Sequence, residues 1–222
     1  MIEELMPNVY WPEIWEASLD TLLMLGGSML FTVILGLPLG VLLFLSGQSD
    51  RPAQRTLYNA ISLLVNIVRS LPFIILLILM MPLTGLLMGT KVGLAGTIPP
   101  LVAGATPFFA RLVETALREV DRGIIEATQA MGATTSQIIF RALLPEARPG
   151  LWAAATVTAI TLVSYTAMAG LVGGGGLGDL AVRYGYHRYQ PDVMWLTVIL
   201  LLVLVQLLQM SGDRLVARFS HK

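Results

Sequence analysis

The sequence predicts an all-α integral membrane protein of five transmembrane helices, and three observations carry that reading. Hydrophobic residues make up 55% of the 222 and charged residues 13%, against about 45–50% and about 25% in soluble chains. Five uncharged runs of 19 to 30 residues each come close to or exceed the roughly 20 needed to cross a hydrocarbon core of ~30 Å. The runs are continuous, unlike the ~10-residue alternating segments of a membrane barrel. A soluble enzyme and a disordered chain are thereby excluded. At about 150 residues per domain the length argues for one domain over residues 1–222.

The first run, 21–45, belongs to a span over about 17–45. Before it stand five acids (Glu3, Glu4, Glu13, Glu16, Asp20) and no Lys or Arg. A cleavable signal would need a positive n-region there, so this run is expected to stay in the mature chain. The second run, 70–90, extends back through uncharged residues 56–68 with Arg69 as the only interruption, which predicts one span over 56–82 with a buried arginine. The third run, 92–110, predicts a span over 92–117. The fourth, 149–178, exceeds the bilayer requirement by about ten residues. Its excess lies in Gly173–Gly176, whose backbone freedom opposes helix, so the helix should stop near Leu171 and the span cover 149–171. The fifth run, 193–212, predicts a span over 192–213.

Lys and Arg segregate. Ten lie after span one, between spans three and four, or after span five, while Lys91, Arg183 and Arg188 lie on the other side. Cytoplasmic loops hold the excess of cations, which puts the N-terminus outside and the C-terminus inside.

Residues 118–148, between spans three and four, are too many for a structureless connection. Asp121 is placed to cap a helix that Gly132 stops. Thr134 and Gln137 then form a capping box that opens a second helix, running to Pro145. The product is helix, glycine break, helix, on the cytoplasmic face.

Glu126-Ala127-Thr128, then Gly132-Ala133, then Ala142-x-Leu144-Pro145 resembles the cytoplasmic EAA loop of permeases in binding-protein-dependent ABC importers. Thr128 stands where that family commonly has a second Ala and Ala142 where it has Ile; both are small. Residues 66–75 (NIVRSLPFII), 104–111 (GATPFFAR) and the stretch from Tyr165 through the glycines to Tyr186 are similar to the permease subunits of methionine importers. The resemblance implies a type I ABC importer permease fold that dimerises with a second copy of itself. It implies two cytoplasmic ATPase subunits carrying ATP and Mg, an external methionine-binding lipoprotein, and residence in lipid of the bacterial inner membrane. It also implies that Glu126, Ala127, Thr128, Gly132 and Ala133 couple to the ATPase, and that methionine of either hand is the cargo. Neighbouring alternatives are another amino acid, a phosphonate or a sulfonate, and outside the class an ATP-independent channel or carrier.

The remaining residues sharpen or prune this picture. Fourteen cations and fourteen anions cancel, leaving no global field for nucleic acid. The chain has no cysteine, His187 and His221 lack ligand spacing, and the glycine run has no following Lys-Ser/Thr, so no metal site, phosphate loop or cofactor of its own is expected. No nucleophile–base pair can be named, which weakens the reading as an integral-membrane enzyme; with ATP hydrolysis left to a separate partner subunit, no enzyme is expected. Two readings stay open for Arg69: bonding to carbonyls freed near Pro72, or a place on the translocation path. Tyr165 and Met168 are either gate residues at the two-fold axis or ordinary core filling. Asp179, Arg183 and Arg188 are either a solvated loop or the docking surface of the binding protein. The coupling helix has the alternative of lying on the membrane surface.

Overall fold

In the computed structural model, which describes residues 7–49 and 51–220, four helices are long and apolar enough to cross a membrane, and a bent pair of helices makes five if it is one span. Glu3, Glu4, His221 and Lys222 lie outside the described residues. Helix α1 (Trp11–Gly47) opens on Pro12, whose fixed φ suits a first turn, with Glu13 beside the positive helix end. At 37 residues it is about 55 Å long at 1.5 Å per residue, more than a ~30 Å hydrocarbon core requires. The second apolar segment is two helices, α2 (Pro52–Ser70) and α3 (Phe73–Met88), bent by 107° across Leu71 and Pro72. This corrects the expectation of one continuous span, and with it the expectation that Arg69 lies buried within a straight helix.

Helix α4 (Gly93–Arg118) is the central one. It holds Pro99, Pro100 and Pro107 without breaking. α1 meets it through small residues four apart: a Cβ on Gly40 would stand 2.6 Å from the Val113 side chain and 2.7 Å from the Ala110 carbonyl. Gly36 is held likewise by Phe109 and Thr106. Small-xxx-small pairs let backbones approach where lipid offers no hydrophobic drive between helices.

After α4 come α5 (Arg122–Ala130), the short α6 (Thr135–Gln137), a wide π-helical turn over Ile138–Leu143, and α7 (Leu144–Glu146). The second loop helix therefore runs through Pro145, where the sequence led us to expect its end. Pro145 has no N–H for the Arg141 carbonyl and its ring crowds that oxygen, and widening the turn relieves both. Helix α8 (Arg148–Gly170) is followed by α9 (Gly176–Leu180), a second π-helical turn over Ala181–Tyr186, and α10 (Pro191–Phe219). Gly212 of α10 lies directly on the Thr156 side chain of α8.

Two apolar cores stack along the bundle. One packs Met24, Phe73, Leu77, Leu101 and Leu162 toward the end that bears the N-terminus. The other packs Phe44, Phe109, Leu117, Leu143 and Ala147 toward the opposite end. The segregated cations follow the same division: Arg51, Arg118, Arg122 and Arg148 at the end with α5, Lys91 and Arg183 at the end with α9.

Candidate functional site: coupling helix, broken span and outer glycine turn

Local backbone chemistry builds the loop over residues 118–148. Asp121 Oδ1 accepts from the Gly123 amide at 2.7 Å, capping α5. At its other end Gly132 takes φ +80°, the left-handed conformation that a glycine adopts without steric cost. Its amide donates to the Gln129 carbonyl at 2.9 Å and the Ala133 amide to the Thr128 carbonyl at 3.3 Å. That pair of bonds is a Schellman closure, which satisfies orphan carbonyls. Thr134 and Gln137 then exchange the two bonds of a capping box, 2.9 and 3.4 Å. No residue of α5 is buried; Glu126 and Ala127 are exposed, and Thr128 and Ala133 are half-buried. Two large apolar side chains, Met131 at 79% and Phe140 at 68%, stand out on the same loop. The chain thus presents a helix capped at both ends, with Ile125 packed on the core and Glu126 and Ala127 on the uncovered side.

At the bend between α2 and α3, Arg69 and Tyr165 come together as walls of one cavity with Phe73 and Phe108. Tyr165 stacks on Phe73, with ring centroids 4.2 Å apart and planes 3° from parallel. The Arg69 guanidinium lies 5.7 Å from the Phe108 ring centroid. It makes no hydrogen bond to the carbonyls around Pro72; the Ser70 hydroxyl bonds the Asn66 carbonyl at 2.8 Å and the Leu71 amide bonds that of Val68. The reading of Arg69 as a cap for freed carbonyls is therefore not what the geometry shows.

Met168 is 42% exposed in the single chain. It continues an uncovered stripe of α8 made by Ala153, Val157 and Ser164, spaced as one helical face. Beyond it, Gly175 and Gly176 both take φ +80°. The Leu177 amide donates to Thr21 Oγ1 at 2.9 Å, tying the turn to α1. Asp179 and Arg183 follow on helical backbone, where the sequence suggested a loop, and Arg188 lies in the turn after it. Arg183 pairs with Asp179 at 2.9 Å and with Glu13 of α1 at 3.1 Å. Tyr184 donates to the same Glu13 oxygen at 3.0 Å, and its ring lies 4.5 Å from the Arg188 guanidinium. Arg183, held by Asp179, thus braces this end of the bundle against α1, while Arg188 covers Tyr184.

One cluster escaped sequence reasoning. Glu114, 2% exposed, accepts from Arg111 at 2.6 Å and Arg118 at 2.7 Å, with the Tyr58 hydroxyl at 3.3 Å. Arg111 goes on to Ser62 (2.7 Å) and Asn66 (3.1 Å) of α2. The signal was available as Arg111-x-x-Glu114-x-x-x-Arg118, three charges on one helical face. The network ties α2 to the end of α4 that leads into α5.

Residues 36–222 match the family described as binding-protein-dependent transport system inner membrane component. The chain is 51% identical to the probable D-methionine transport system permease protein MetI of Vibrio cholerae, over 85% of this chain and 84% of that protein. It is 46% identical to the methionine import system permease protein MetP of Bacillus subtilis, over 96% of each. Among solved structures it superposes on a chain of the MetNI methionine ABC transporter in an inward-facing conformation with TM-score 0.92 at 48% identity. That match covers 96% of this chain and 100% of the other.

Proposed function

Because the chain belongs to the family of inner membrane components of binding-protein-dependent transport systems, we propose that it is the permease subunit of an ATP-driven importer and forms the path by which D- and L-methionine cross the bacterial inner membrane. The observation that carries this reading is the match along nearly the whole chain, in sequence and in fold, to proteins named for methionine transport. The exposed, doubly capped α5 supports the coupling role. Two cytoplasmic ATPase subunits bind ATP and Mg, and each receives one α5 with Glu126, Ala127, Thr128, Gly132 and Ala133 at the contact. Two copies of the chain enclose the path, with Arg69, Tyr165 and Met168 along it. An external methionine-binding lipoprotein delivers cargo to the end braced by Asp179, Arg183 and Arg188. The ten cations at the α5 end support an internal C-terminus and an external N-terminus. The chain itself supplies no ATPase chemistry; its role is transport.

Co-purification from native membranes identifies the ATPase and binding protein, and reconstitution into proteoliposomes then measures ATP-dependent uptake of labelled methionine. Preferential uptake of another amino acid, a phosphonate or a sulfonate overturns the cargo. Uptake without any ATPase overturns the class.

A further inference from the structure

From the cavity at the bent span we infer a resting place for the substrate inside the membrane: Arg69 holds the carboxylate of an α-amino acid whose unbranched apolar side chain lies against the Phe73–Tyr165 stack. This rests on the reading of the chain as an amino-acid permease and adds a site to it.

The cavity encloses about 230 Å³, walled by Val68, Arg69, Leu71, Phe73, Phe108 and Tyr165 among others. Arg69 is its one charge. No carboxylate of the described residues lies within ion-pair distance of that guanidinium, whereas Arg111, Arg118 and Arg183 each have one. A cation in the hydrocarbon region without an acid costs on the order of 2.5–3.5 kcal/mol, and an arriving carboxylate relieves that cost through a fork-shaped, charge-assisted pair. Pro72 starts α3 beside it, so the positive end of a 16-residue helix faces the same negative charge. Aromatic faces line the rest, and a thioether makes favourable contacts with them. Gly104 keeps the floor open: a Cβ there would stand 3.3 Å from the Phe73 ring and 3.4 Å from Leu76. The hydroxyl of Tyr165, which lines the cavity, can accept from the substrate ammonium. A charged headgroup thus stays paired on its way past the apolar helices.

Photo-methionine, the diazirine analogue, tests the site in the permease–ATPase complex, with labelled peptides located by mass spectrometry. Labelling within residues 68–76, 104–108 or at Tyr165, competed by methionine and norleucine but at least tenfold less well by methioninol, is the result expected. Arg69→Gln should cut that labelling at least tenfold and Arg69→Lys should restore part of it. Labelling elsewhere on this chain only, or equal competition by methioninol, overturns the site without need of any variant. If the wild-type complex imports methionine normally and either of those outcomes is found, the subsite fails and the permease reading stands. If the wild-type complex imports no methionine, the permease reading itself fails.

Discussion

Arg111 and Glu114 meet at 2.6 Å one helical turn apart, and the carboxylate is 2% exposed. Glu114 also holds Arg118 on the next turn, and Arg111 reaches across to α2. Removing one partner of a buried pair strands the other, at a cost on the order of 3–5 kcal/mol. Glu114→Ala should therefore lower the melting temperature of the detergent-purified protein substantially. Glu114→Gln, which keeps acceptor capacity on one oxygen, should lower it less. Because Arg118 is half-exposed and rehydrates, the Glu114 effect should be largely cancelled in an Arg111→Met background. An unchanged melting temperature in Glu114→Ala refutes the assignment.

Gly132 closes the coupling helix at φ +80°, a conformation costing an L side chain roughly 1–2 kcal/mol. Nothing lies within 4 Å of the position, so the strain is in the backbone and not in packing. Gly132→Leu should leave the chain inserted and dimeric while lowering ATPase association or transport-linked hydrolysis several-fold. Gly132→Asn, tolerated at such positions, should behave nearly as wild type. Full transport by the leucine variant would sink the coupling role of this turn.

Lys91 and Arg122 lie at opposite ends of the bundle, and the chain has no native cysteine. In intact cells an impermeant maleimide should label K91C and spare R122C. The reverse pattern inverts the topology.

Met168, uncovered on the stripe of small α8 residues, meets its twin if that stripe lies at the two-fold axis, because isologous contacts pair equivalent residues. In the resting dimer M168C should cross-link to itself, with lower yield when ATP and the binding protein are added. Efficient cross-linking at an α10 position, with none at 168 in a verified dimer, moves the axis elsewhere.

What could be read from the sequence depended on how local the cause was. Asp121, Gly132, Thr134 and Gln137 act on backbone groups within five residues, and the caps they form match the expectation. The end of α8 at Gly170 was equally legible, since the glycines that follow carry their own signal. Proline was ambiguous. Pro38, Pro82 and Pro107 sit inside helices, while Pro72 divides two. The difference lies in what packs next to it: Phe73 is seated on Tyr165, about ninety positions away in the chain. Glu114 was hidden for a similar reason. Counting uncharged residues ends the third run at Ala110, yet the helix continues, and its charges satisfy one another there. The helical turn over Ala181–Tyr186 is held by Glu13 at the far end of the sequence, through Arg183 and Tyr184.

The bend between α2 and α3 also has a mechanical meaning. Laid end to end, 19 and 16 residues of helix would measure about 52 Å at 1.5 Å per residue. Turned through 107°, the two arms bring their far ends to roughly 31 Å apart, close to the ~30 Å hydrocarbon thickness. Near that geometry each 10° of opening lengthens the pair by about 3.5 Å, so a bilayer crossed by the pair end to end would oppose straightening. For a pair that spans the bilayer end to end, lipid would act as a spring across this hinge, with stiffness and rest length set by the acyl chains. Transport in vesicles of graded chain length should peak near the matching thickness, and a flat response would show that the arms are held by protein alone.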